Sequence, residues 1–176
     1  MTGSPKSVTE TVPRRPLLVV AALILQQDPG NLKVAASNSV LVVQRPKTAK
    51  FGAGQWEFPG GKVEFGESPE ESLIREIFEE LKINVDVSDI LCAGSHVDAE
   101  SGQHIVLLCY FCNLETSGAD IIDKLEKSKI EAADARWLPL SEIPSLIDGH
   151  AVVGLRLQDF AAGDLHSLRK LLAHLK

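Results

Sequence analysis

Glu76, Glu79 and Glu80 stand at i, i+3 and i+4, so a helix through them presents three carboxylates on one face. At about 100° per residue, the three lie within a fan of roughly 100°. Carboxylates this close repel one another unless something neutralises them. A hard divalent cation with oxygen ligands does so directly, which makes metal-ion chemistry the first reading of this stretch. Just upstream, Pro59-Gly60-Gly61 reads as a tight turn with open backbone and no side chain to block a ligand.

These groups need a well-defined helix to hold them. Ser68 suits the N-cap, Pro69 the first helical position, and Glu71 the third position of a capping box. The helix is expected over about 68–82. Leu73, Ile74, Ile77, Phe78 and Leu81 fill a separate, contiguous arc that reads as its core face. A solvated, charge-laced surface helix is the commoner fate of a Glu-rich stretch, and it explains Glu70 and Glu71. It does not explain Arg75 and three glutamates in register with an upstream glycine turn.

Residues 61–83, GKVEFGESPEESLIREIFEELKI, resemble the signature of the Nudix hydrolases, G-x5-E-x7-R-E-U-x-E-E-x-G-U with U aliphatic. Gly61, Glu67, Arg75, Glu76, Ile77, Glu79, Glu80 and Ile83 all match in register, a highly specific pattern. Lys82 departs from it, standing where the family has a helix-ending glycine in the left-handed conformation. That substitution costs on the order of 1 kcal/mol and is partly offset by the lysine charge at the helix C-terminus. The resemblance implies a mixed-sheet α/β fold, an α/β/α sandwich, and hydrolysis of a phosphoanhydride in a nucleoside-diphosphate derivative. It implies Mg²⁺ or Mn²⁺ held by Glu76, Glu79, Glu80 and the Gly60 carbonyl. Arg75 matches the orienting arginine, and Glu67, outside the regular helix, is its expected partner. Cations must offset the charge of a polyphosphate before a nucleophile can approach, and they also lower the pKa of bound water.

Residues 56–67, WEFPGGKVEFGE, look like the MutT branch, whose members convert nucleoside triphosphates to monophosphate and pyrophosphate. Trp56, with Phe58 in the same stretch, resembles the members that act on cytidine nucleotides. Arg45 matches a basic residue that touches substrate, and Lys62 could reach a phosphate, although either could be a solvated charge. A further glutamate six residues before a tryptophan is a candidate general base in that branch. Glu131 stands six before Trp137, with Asp134 as the fallback on the same loop. The histidines are scattered without ligand spacing.

Two alternatives stay open. The same metal centre could serve a nucleoside-diphosphate conjugate such as ADP-ribose, a dinucleoside polyphosphate or a nucleotide sugar. Pro144–Asp148 is an imperfect stand-in for the branch's base-contacting stretch, so base preference is open. The second alternative is a non-catalytic fold that senses a nucleotide; retention of Glu76, Glu79 and Glu80 argues against it.

With 176 residues, 44% hydrophobic and 24% charged, the chain is sized for one globular domain over 16–176, preceded by a polar segment at 1–15 that reads as disordered. A net charge of −6 disfavours broad nucleic-acid or membrane-surface binding through charge. Cys92, Cys109 and Cys112 form no disulfide framework and suit a reducing cytoplasm. Cys109 and Cys112 lie in a strand-like run, three apart and therefore on opposite faces, as buried apolar cysteines. The apolar run after Arg14-Arg15 mimics a secretory signal but reads as a buried first strand.

Strands are expected at 17–26, 39–45, 55–58, 84–98 and 104–114, and over ADARWLPL ending at Pro139. Turns are expected at Asp28–Asn31 and Ala99–Gln103, with a short helix possible within 116–130. A helical turn at Ser141–Pro144 and helices near 149–160 and 164–175 complete the order. Asp164 is read as the last helix's cap, with Leu165, Leu168, Leu172 and Leu175 along one side.

Overall fold

Residues 17–26, LLVVAALILQ, carry apolar side chains almost without a break, so a strand here needs cover on both faces. The computed structural model, which describes residues 15–26, 39–49, 52–97, 102–114, 132–147, 158 and 162–174, supplies that cover. Val20, Ala22 and Ile24 of β1 (Leu17–Gln26) pack towards α1 (Pro69–Leu81). Ala21, Leu23 and Leu25 alternate onto the opposite face, against α2 (Ile143–Ile147) and α3 (Ala162–His174). The sheet between them makes a mixed α/β sandwich, as expected.

Along the sheet, β1 pairs in parallel with β6 (His104–Leu114), which pairs antiparallel with β5 (Val85–Val97). The far end of β1 meets β2 (Ser39–Gln44), which carries β3 (Trp56–Glu57) on one side and β7 (Asp134–Pro139) on the other. A short 3-10 turn at Leu140–Glu142 leads from β7 into α2. Since β1 and β2 touch only through Leu25–Val40 and Gln26–Ser39, the sheet opens between them. The chain after β3 fills the opening: β4 (Gly60–Lys62) pairs antiparallel with β1.

That strand corrects one expectation. Pro59-Gly60-Gly61 is no free-standing tight turn; Gly60 and Gly61 lie in β4 opposite Ala21 and Val20. Gly-Gly-Lys has little intrinsic strand preference, and the pairing is imposed by β1. Gly60 has φ 154°, and a Cβ there would come within 2.1 Å of the Val20 carbonyl oxygen, so only glycine lets the two backbones meet.

α1 has the ends the residues call for. The Ser68 Oγ accepts from the Glu71 N–H at 3.2 Å, and the Glu71 carboxylate accepts from the Ser68 N–H at 2.9 Å. Lys82 ends the helix at φ 57°, ψ 32°, in the left-handed region, and its Nζ donates to the Glu79 carbonyl at 2.8 Å. Lys82→Gly should therefore raise stability by no more than about 1 kcal/mol, because relief of left-handed strain is partly cancelled by the lost capping bond. A urea titration showing net destabilisation, or a gain well above about 1 kcal/mol, would contradict this.

The buried side of α1 is narrower than its pattern suggests. Leu73, Ile77 and Leu81, with Ser72, are buried, each large apolar chain contributing about 1.5–3 kcal/mol. Ile74 and Phe78 are instead exposed at 44% and 51%. Only the i, i+4, i+8 ridge seats on the sheet, while the next ridge hangs past its edge. Lys82 Nζ lies 5.8 Å from the centre of the Phe78 ring and shields it.

Other expectations resolve simply. Cys109 and Cys112 are buried on opposite faces of β6. α3 begins at Ala162, so Asp164 lies inside the helix and not at its cap; Leu168 is buried, whereas the side chains of Leu165 and Leu172, and Leu175 entirely, fall outside the described residues. The segment 1–15, the turns at Asp28–Asn31 and Ala99–Gln103, the short helix within 116–130 and the helix near 149–160 fall wholly or largely outside them too.

Candidate active site

Arg75 organises the acidic face of α1. Its Nε and Nη2 donate to the two oxygens of Glu67 at 2.9 and 3.0 Å, a bidentate fork. Nη1 reaches Glu76 at 2.9 Å and Glu79 at 3.4 Å, and Nη2 also donates to the Lys62 carbonyl at 3.1 Å. One guanidinium thus ties the loop before the helix, β4 and two of the three carboxylates together. Glu67 folds back as expected, and the hydroxyl of buried Ser72 donates to it. Those bonds, from Arg75 first and Ser72 second, hold the Glu67 carboxyl down at about 2. Bonds to Glu67, then Glu76, raise Arg75 above its already high value.

Glu76 and Glu80 turn towards the glycines. The Glu76 carboxylate stands directly over Gly61, where an added Cβ would come within 2.3 Å of it. The Gly60 N–H donates to Glu80 at 3.3 Å. Burial, then the neighbouring charge of Glu57, pushes the Glu80 carboxyl up to about 8, with Glu76 adding a smaller repulsion. Gly61→Ala should therefore displace a flexible carboxylate while sparing the fold, cutting turnover about tenfold or more with little change in melting temperature. Gly60→Ala drives its methyl into backbone and should destabilise the protein by at least about 2 kcal/mol. Thermal melts and initial rates on the two variants separate these outcomes.

The remaining candidates are more dispersed. Arg45, after β2, donates through Nη1 to both oxygens of Glu57 at 2.9 and 3.0 Å, beside Glu80. Burial nevertheless leaves the Glu57 carboxyl above its ordinary value. Lys62 is exposed. Trp56 and Phe58 are 4% and 3% exposed and point to the other face of the sheet, into the core beside α2 and α3. The Arg136 guanidinium covers the Trp56 ring at 5.0 Å. Asp134 accepts from Arg136 at 2.9 and 3.1 Å, and Glu131 lies outside the described residues.

Sequence reasoning missed Glu57, Ser72 and Arg136. Glu57 and Arg136 act through Arg45 and Trp56 on other segments, and Ser72, five residues from Glu67, reads as an ordinary helix serine until the loop folds back. The E-F-P-G-G context of Glu57 offered the nearest signal.

A NUDIX domain model matches residues 17–156, most of the chain and every element just described except α3. The chain belongs to the Nudix family. Among Nudix relatives, an 8-oxo-dGTP diphosphatase of Proteus vulgaris is 46% identical over 59 residues, 34% of this chain and 52% of that protein. The CTP pyrophosphohydrolase of Escherichia coli is 37% identical over 91 residues, covering 52% and 58% of the two chains. The chain thus spans little more than half the length of these two relatives. An ADP-ribose pyrophosphatase of Methanocaldococcus jannaschii is 29% identical over 66% of this chain and 64% of its own. The fold is that of the MutT protein from Methanosarcina mazei, with a TM-score of 0.65 at 20% identity over 94% of this chain and 99% of that one.

The site has the donors a hard cation needs. Among the described residues, however, no three acidic side chains already form a closed ligand cluster. Arg75 instead neutralises Glu76 and Glu79, while burial and the charge of Glu57 outweigh what the Gly60 amide and Arg45 offer Glu80. An under-compensated carboxylate beside glycine backbone fits a hard divalent cation, which prefers oxygen.

Proposed function

We propose that this protein is a divalent-metal-dependent Nudix hydrolase that cleaves a nucleoside triphosphate to the monophosphate and pyrophosphate. One observation carries the reading: Glu76 and Glu80 converge on the Gly60–Gly61 backbone while Arg75 locks the loop and helix that present them. Glu76, Glu79, Glu80 and the Gly60 carbonyl would hold the metal. A divalent ion there would offset phosphate charge and supply hydroxide near neutral pH.

The chain's own groups do the rest. Arg75 keeps Glu76 aimed at the glycine backbone, and Glu67 and Ser72 keep Arg75 from turning away. Arg45, held by Glu57 beside Glu80, and exposed Lys62 offer cationic groups for phosphate oxygens. In this reading Glu131 takes the proton from water, with Asp134 as the fallback. The similarity to an 8-oxo-dGTP diphosphatase and a CTP pyrophosphohydrolase supports a nucleoside triphosphate substrate. A cytoplasmic setting belongs to the same reading; no helix among the described residues is long and apolar enough to cross a membrane, and the three cysteines are free.

The longer match to an ADP-ribose pyrophosphatase favours a second reading, a nucleoside-diphosphate conjugate at the same centre. Incubation with Mg²⁺ and a panel of canonical, oxidised and methylated (d)NTPs and NDP conjugates, with products weighed, decides. Pyrophosphate plus monophosphate selects the first reading, and two monophosphates from a conjugate select the second. No turnover of any compound would sink both.

A further inference from the structure

Away from the acidic face, two cysteines stand side by side. Cys92 on β5 and Cys109 on β6 are direct cross-strand partners, and both side chains join the core beneath α3. The register slips between Ile90 and Cys92, so the pairing of β5 with β6 is irregular next to this rung. Cys109 is fully buried, whereas Cys92 keeps part of its surface. From α3, the buried Ser167 hydroxyl lies 3.7 Å from the Cys92 sulfur. Cys112 sits on the opposite face and cannot reach either.

We propose that Cys92 and Cys109 are an oxidisable dithiol, a modification site that closes to a cross-strand disulfide when a peroxide reaches Cys92. The Cys92 thiolate sulfur attacks one peroxide oxygen; the O–O bond breaks, leaving a sulfenic acid and releasing hydroxide that is protonated to water. The Cys109 sulfur then attacks the Cys92 sulfur, forming the S–S bond as the S–O bond breaks. The departing hydroxide takes the Cys109 proton and leaves as water. Two thiols lose two electrons, and one hydrogen peroxide becomes two waters.

The surroundings favour this pair over the third cysteine. The Cys109 side chain bonds to the Cys92 sulfur, and Ser167, His166 and Lys170 add to it, drawing that thiol down to about 6 despite burial. Burial instead drives the Cys112 thiol up to about 12. Directly opposed residues place their Cβ atoms about 4.5–5.5 Å apart, against about 3.5–4.5 Å in a disulfide. The two ranges meet, so a modest approach of the strands closes the bond, and a thiol reductant reopens it.

That approach has a route to the acidic site. Cys109 pairs with Ala21, and Ala21 pairs on its other side with Gly60, so Cys92, Cys109, Ala21 and Gly60 form one row across four strands. A Cβ at Gly60 would stand 2.9 Å from the Ala21 Cα, so the two backbones lie in close contact at the acidic end of this row.

The test is mass spectrometry of the whole chain treated with hydrogen peroxide. Expected are a loss of two hydrogens, a Cys92–Cys109 cross-link in the unreduced digest, and reversal by dithiothreitol. Cys109→Ser should stop at one added oxygen on Cys92, and Cys112→Ser should behave as the parent. Successive oxygens on Cys92 in the parent protein, a link through Cys112, or no reaction would each overturn the proposal. Oxidised protein should also hydrolyse its substrate more slowly, recovering on reduction; a formed disulfide with unchanged turnover would sever the coupling to Gly60. The mass readout stands whatever the substrate proves to be.

Discussion

Glu80→Gln should lower turnover by more than about a hundredfold and yet raise the melting temperature of the metal-free protein at pH 8. Both effects share a cause. Glu80 is pushed up to about 8 by burial and by the charges of Glu57 and Glu76. Because its folded value lies above the ordinary 4.5, the fold favours the protonated acid. The stability that preference contributes is complete below about 4.5 and drains away as pH rises through about 8. Glutamine keeps the shape and an oxygen for the Gly60 N–H but removes the charge. Loss of a group one step removed from a metal already costs about 10–100-fold, so loss of a direct ligand, the role proposed for Glu80, should cost more. At pH 8, added Mg²⁺ should stabilise the parent protein far more than it stabilises Glu80→Gln. Melts at pH 6 and 8, with and without metal, together with initial rates, check all of this. A Glu80→Gln protein less stable than its parent at pH 8 without metal would remove the electrostatic argument.

Arg75→Ala should be damaging in a different way. It strips Glu67, Glu76 and Glu79 of their shared cation and frees the Lys62 carbonyl, so Glu76 and Glu79 are left opposed. Turnover should fall by about 10–100-fold, and the melting temperature should fall with it. Glu67, no longer held at about 2 by the fork, should titrate nearer its ordinary value. Its contribution, in the parent complete above about 4.5 and lost as pH falls towards 2, should then shrink at every pH above that window. Acid unfolding would begin earlier in Arg75→Ala. Arg75→Lys should rescue little, because one ammonium cannot span Glu67 and Glu76 as the planar fork does. Full recovery with lysine would reduce the role of Arg75 to bare charge.

What could be read beforehand was local. The Ser68–Glu71 box, Pro69, the left-handed Lys82 and the fold-back of Glu67 onto Arg75 depend on residues a few positions apart. So do the alternation of β1 and the opposed cysteines of β6. What escaped depends on the partner. β4 exists because β1 offers an edge, Ile74 and Phe78 are exposed because the sheet stops short of them, and Arg136 meets Trp56 from eighty positions away. Periodicity names a face; only the opposing surface decides how much of it is covered.

The parallel join between Leu17–Ile24 and Ile105–Cys112 has a kinetic corollary. A chain emerging from the ribosome exposes β1, the glycines and the whole acidic helix well before the strand that must lie beside β1 has been made. Loop closure over that separation is slow, so the glutamates should come into alignment late, in the same step that joins the two ends of the sheet. Nascent chains arrested before His104 should therefore carry α1 without the geometry that brings Glu80 to Gly60.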